Sequence, residues 1–196
     1  MRGSAVLPNL YTLIYGGNVE TKLAMARRLF SRYGREIERD QQISPGIAAL
    51  LRLQQGLSRQ MLTMGLDVIC CRCAQKTDGG CCSEAIAAET DVAQLLLNML
   101  AGVLVACRQH DGVSCPYLGE NGCIFLFKPL FCLNYICPDI AGRSQEAELG
   151  ILERLTGGLL QAQTGIESLL LDFFAGRAPE LGEEGLISRL CSGTLP

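Results

Sequence analysis

Eleven of the 196 residues are cysteine, against a single histidine and no tryptophan, and nine of the eleven fall in two segments, 70–82 and 115–137. Cys70 and Cys73 are spaced C-x2-C, a spacing that lets a tight backbone turn aim two thiolates at one ion. The vicinal pair Cys81-Cys82 follows a Gly-Gly that permits a sharp reversal, and Cys115, Cys123, Cys132 and Cys137 complete the set. One C-x2-C is a weak signal; eight thiols in two dense segments are a strong one. Thiolate is a soft donor that selects zinc, copper(I) or iron-sulfur clusters over magnesium or calcium. The expected ligands are therefore Cys70, Cys73, Cys81, Cys82, Cys115, Cys123, Cys132 and Cys137, and the expected cofactor is zinc or iron, including an iron-sulfur cluster. A mononuclear site uses four ligands, so eight thiols point to two ions or a multinuclear cluster. The energy is sufficient to organise both segments. A structural zinc contributes roughly 10 to 16 kcal/mol in small peptides, against roughly 5 to 15 kcal/mol for the net stability of a domain. Arg72, Lys76, Arg108 and Lys128 are available to offset the thiolate charge.

The other cysteines and the histidine have simpler readings. Cys71 diverges from its neighbours, Cys107 falls in an apolar run and reads as core, and Cys191 has no partner pattern. His110 reads as a group satisfying a helix end rather than as a ligand. A nucleophilic-cysteine enzyme needs a nearby base, and His110 is the single imidazole. Neither a P-loop nor G-x-G-x-x-G is present, so nucleotide chemistry has no support.

The chain is 48% apolar and 19% charged, with a net charge of -3. That composition suits a globule large enough for a real core and lacks the basic excess of nucleic-acid binders. The opening MRGSAVLPNL has no apolar run of export-signal length, so the expected compartment is the cytoplasm, where thiols stay reduced. Residues 92–107 are the most apolar run, but Gln94 and Asn98 interrupt it and it falls short of the roughly 20 residues of a membrane span. A buried helix is expected there, with neither membrane nor nucleic acid as partner and the protein partner left open.

The elements that must position the thiols are helical. Leu23, Ala26, Phe30, Tyr33 and Ile37 recur at helical spacing, while Arg28, Arg32, Arg35 and Arg39 form a solvated face interleaved with acidic residues. A second helix starts at Ser44-Pro45 and buries Ile47, Leu50, Leu51, Leu57 and Met61. Periodicity stops near Gly65, so the first cysteine segment reads as a loop. Thr90 and Asp91 open the central apolar helix. Asn121-Gly122 is a tight-turn signal, and a short hairpin is expected with Cys115 on one arm and Cys123 on the other. From Ser144 a long stripe of Leu149, Leu152, Leu159, Ile166, Leu170 and Phe173 resumes. Gly150, Gly157, Gly158 and Gly165 lie within it and predict a break or a close helix contact. Beyond Gly176 only a short amphipathic stretch, 183–190, stands out. The expected fold is mainly α: one domain, 1–196, with an N-terminal helical region (1–66), a cysteine-cluster core (67–140) and a C-terminal helical region (141–196).

Residues 66–138 resemble the YkgJ-type cysteine-cluster family, described as zinc- or iron-chelating domains. The likeness rests on C70-x2-C73, Cys81-Cys82, Cys115-Pro116-Tyr117-Leu118, Gly122-Cys123 and Lys128-Pro129-Leu130-Phe131-Cys132. The gap before Cys81 is longer than the family's, Lys128 replaces its arginine and Leu133 stands where an arginine often follows. The resemblance implies a thiolate metal centre and extends to flagellin lysine methylases. The expected function is a metal-binding protein with a structural or redox cluster. The alternatives are an enzyme, either iron-sulfur redox or a methyl-transfer relative, and a metal-handling or docking module.

Overall fold

A computed structural model describes residues 6–74, 81–108, 111–119 and 122–177. Among these the chain is mainly helical, with one two-stranded antiparallel sheet. The elements run α1 (Val6–Tyr15), α2 (Val19–Ile37), α3 (Ile43–Thr63), α4 (Leu66–Ala74), α5 (Glu84–Ala88), α6 (Val92–Leu100), β1 (Leu118–Gly119), β2 (Gly122–Cys123), α7 (Leu130–Asn134), α8 (Pro138–Ala141) and α9 (Glu146–Ala175). None of the helices is long and apolar enough to cross a membrane.

The region before Gly65 holds three helices rather than two. The additional one, α1, buries Leu10, Leu13 and Ile14 against the bundle. In α2 the predicted stripe is buried except for Phe30, which is half-buried, and Arg28, Arg32, Arg35 and Arg39 are all exposed. The start of α3 differs from expectation in its cap. Asp40, not Ser44, satisfies the free backbone donors: its carboxylate accepts from the N–H of Gln42 at 2.8 Å and of Ile43 at 2.9 Å. These two bonds hold the Asp40 carboxyl below its ordinary value.

Two layers make the core. Helices α3 and α9 pack antiparallel: Gly46 of α3 lies against Ile166, and Gln60 Nε2 donates to the Glu148 carbonyl at 3.2 Å near the other end. Helix α2 packs on α6, whose Val92, Leu95, Leu96 and Leu97 are buried all round. Asp91 caps α6 as predicted, accepting from the Gln94 N–H at 2.7 Å.

Helix α6 ends at Leu100, and residues 103–107 are not helical, contrary to the helix expected over 92–107. The cause is Gly102 at φ +83, a left-handed conformation that glycine adopts without strain. The Val103 N–H reaches back to the Asn98 carbonyl at 3.0 Å and the Gly102 N–H to Met99 at 2.9 Å, which together close the last turn. By contrast, α9 runs unbroken for 30 residues from a capping box formed by Gln145 and Glu148. A Cβ at Gly150, Gly157, Gly158 or Gly165 would meet nothing within 4 Å, so these glycines mark neither a break nor a close contact. The close approach is on the partner helix, at Gly46.

Two consequences can be measured. Gly150→Ala, Gly157→Ala and Gly165→Ala should each raise stability in urea denaturation by up to about 1 kcal/mol, because alanine gains helix propensity at no steric cost. Gly46→Ala should lower it, because its methyl would run into the Ile166 side chain. Burial, followed by the charge of Glu167, pushes the Asp91 carboxyl up to about 6 against the pull of the Gln94 N–H and Lys22. The protonated form is thus favoured in the fold. Its contribution is complete below the unfolded value of about 3.9 and is lost as pH rises through about 6. Asp91→Asn keeps a capping oxygen and should be more stable than the native protein at pH 7 to 8, with the gap closing below about pH 4.

Candidate metal centre

Gly65, at φ +65, ends α3, and a buried Leu66 anchors a new helix in place of the expected loop. Cys70, Cys71 and Cys73 therefore stand on α4. Positions 70 and 73 are three apart and share a helical face, while 71 turns away, so the C-x2-C relation survives on a different scaffold. The side chain of Cys73 lies outside the described residues, as do Lys76, His110, Cys191 and the stretch 183–190. Cys70, Cys81, Cys82, Cys115 and Cys123 are half-buried, Cys132 is exposed on α7, and Cys137 is buried at the start of α8.

Backbone hydrogen bonds join the two cysteine segments. The Cys115 N–H donates to the Cys82 carbonyl at 2.9 Å, and the Glu84 N–H donates to Val113 at 2.9 Å. Ser83 and Ser114 form an antiparallel bridge between these two bonds. The predicted hairpin is present but shorter, pairing Leu118 with Cys123 and Gly119 with Gly122. Gly122 therefore belongs to a strand rather than to the turn. Cys115 lies before β1, where its carbonyl accepts from Leu118 at 3.0 Å, so only Cys123 is carried on an arm. Strand β2 and helix α8 both pack against α4.

The electrostatics record how near the thiols lie. Burial first, and then the neighbouring Cys123 and Cys107, push the Cys115 thiol up to about 11. Cys132 retains solvent contact, yet the protein packed around it, with Cys123, Cys115 and Cys81, pushes its thiol up to about 12. Burial raises Cys123 as well. Lys128 lowers both Cys123 and Cys132. Cys81, Cys115, Cys123 and Cys132 thus form one electrostatically connected set drawn from both segments. Among the described residues, no group of three or more Cys, His, Asp or Glu side chains is arranged to hold a metal ion. The donor chemistry does fit a thiophilic ion, since the side chains concerned are sulfur.

Sequence reasoning treated Gln94 and Asn98 as interruptions of an apolar run, but they are the anchors of the second segment. Asn98 is 0% exposed, and its Oδ1 accepts from the N–H of Leu126 at 2.9 Å and of Phe127 at 3.0 Å. Its Nδ2 donates to the Phe127 carbonyl at 2.8 Å, to which Gln94 Nε2 also donates at 2.6 Å. Gln163 of α9 adds a bond from Nε2 to the Lys128 carbonyl at 3.1 Å. The signal was available: two amides four residues apart in a helix that is otherwise apolar all round must find buried partners. Cys107 packs against the core as expected, but from the irregular stretch after Gly102 rather than from a helix.

No family model, no curated protein and no solved structure matches the chain.

Asn98→Ala should lower stability by at least about 2 kcal/mol, since it strands two buried N–H groups and weakens a third bond. The loop between Cys123 and Cys132 should loosen with it. Urea denaturation reads the first effect, and faster alkylation of Cys123 and Cys132 under native conditions reads the second.

Proposed function

We propose that the protein binds zinc or iron, the latter as single ions or an iron-sulfur cluster, through thiolates drawn from segments 70–82 and 115–137. One observation carries the reading: the backbone pairing of Cys82 with Cys115 brings two cysteine segments together beside four thiols that feel one another's charge. Supporting it are the sulfur-only character of the set and the motif likeness to the YkgJ-type cysteine-cluster family, which rests on the residues quoted above. The role is structural or electron-carrying, and the reducing cytoplasm is the compartment in which such thiols persist.

The chain's own contribution is to hold protonated thiols ready. With pKa values of about 11 and 12 at Cys115 and Cys132, each thiol that engages an ion first releases its proton and ligates as the thiolate. In the metal-free protein both thiols favour the protonated form. Their contribution to stability is intact below the unfolded value of about 8.5 and is lost as pH rises toward about 11 and 12.

Anaerobic purification, elemental analysis and an absorption spectrum test the proposal. Stoichiometric zinc in a colourless sample, or iron with sulfide in a brown one, is the expected result. Stripping the metal should make the protein markedly less stable at alkaline pH, and the metal-loaded form should lose affinity as pH falls. A protein that carries no metal as purified, and takes up neither zinc nor iron with sulfide afterwards, would refute the reading.

A further inference from the structure

We infer that one face of α3, together with Leu126, forms a binding site for a small apolar hydroxy acid, independently of any metal. Leu51, Gln54, Gln55, Ser58 and Arg59 recur at helical spacing and share that face, and with Leu126 they line a cavity of about 490 Å³. Such a volume falls among small-molecule sites, which span roughly 300 to 1,000 Å³. Leu126 belongs to the loop that Asn98 fixes through the Leu126 and Phe127 N–H groups, so the cavity is walled by a helix and by anchored backbone.

Gln54 is the residue that points to a ligand. It is 8% exposed, its Nε2 donates to Ser58 Oγ at 3.1 Å, and its Oε1 has no hydrogen-bond partner among the described residues. Turning the amide over would pair Oε1 with the Ser58 hydroxyl and strand Nε2 instead, so one buried polar atom stays unpaired either way. Buried polar groups are nearly always paired, and an unpaired one in a cavity wall is a place for a ligand atom. The other wall residues set the chemical class. Leu51 and Leu126 offer apolar surface. Arg59 is exposed, no carboxylate among the described residues pairs with it, and its planar fork matches a carboxylate. Gln54 calls for a group that donates to Oε1 or, with the amide turned, accepts from Nε2. A hydroxyl does both, whereas an ammonium only donates and would add a second positive charge to the cavity that Arg59 lines.

Isothermal titration calorimetry of the full chain with 2-hydroxy-3-phenylpropanoate, 3-phenylpropanoate and phenylalanine tests this inference. The hydroxy acid should bind saturably, one to one, and more tightly than either analogue. Arg59→Met should weaken it by about tenfold or more, the loss of a charge-assisted contact. Arg35→Met, on the exposed face of α2, should leave it unchanged. Gln54→Leu removes the unpaired amide at nearly the same volume and should bind the hydroxy acid and 3-phenylpropanoate equally. Absence of saturable binding to the native protein, a preference for phenylalanine, native affinity in Arg59→Met, or a hydroxyl preference that survives in Gln54→Leu would each overturn the inference. None of these outcomes bears on metal content.

Discussion

A fully buried carboxamide holds this molecule's irregular half to its helical half. The segment from Ile124 to Pro129 has no helix or strand to satisfy its backbone, and an unpaired buried peptide group costs about as much as a lost hydrogen bond. Asn98 takes up the amides of Leu126 and Phe127 and returns a donor to Phe127, while Gln94 and Gln163 complete the shell. Because Gln94 and Asn98 sit on α6 and Gln163 on α9, this loop is fixed against both layers of the core. The positions of Cys123 on one side and Cys132 on the other follow from that anchoring.

The thiols themselves face an unfavourable balance. Burial and mutual repulsion both oppose ionisation, and Lys128 is the cation that acts on Cys123 and Cys132 in the opposite sense. A set of sulfurs kept neutral in this way is unreactive as nucleophile or reductant, since the thiolate is the active form. Under the proposed function, a soft cation would supply positive charge beside these thiols and favour their ionisation.

What could be read from the amino-acid sequence depended on whether local chemistry or tertiary context decided the outcome. Asp91 as a cap, the stripes of α2 and α9 and the existence of a hairpin are local and were readable. The loop expected over 70–82 became a helix over its first part because Leu66 found a buried site, which no local pattern announces. Glycine was misjudged in both directions. Four glycines in α9 suggested a break and face open space, whereas Gly102 passed unremarked inside an apolar run and ends α6. The distinguishing condition is a left-handed φ, which depends on what the following residues must reach. Cys107 packs against the core as its apolar surroundings suggest, but from irregular chain, because the helix expected to carry it stops seven residues earlier. The eight cysteines expected as ligands stand on both segments, and among the described residues no three of them are arranged to hold an ion. The amides that hold their scaffold in place were in plain view and were read as interruptions.

The glycines of α9 bear on what keeps that helix intact. At 1.5 Å per residue its 30 residues extend about 45 Å, yet Gly150, Gly157, Gly158 and Gly165 each weaken its intrinsic tendency to coil. Its persistence as one rod comes from the surface it shares with α3, where Ile166 fits over the bare backbone of Gly46. A detached strip of these residues would be a poor helix in water. The longest helix among the described residues is thus held straight by its neighbours, α3 above all.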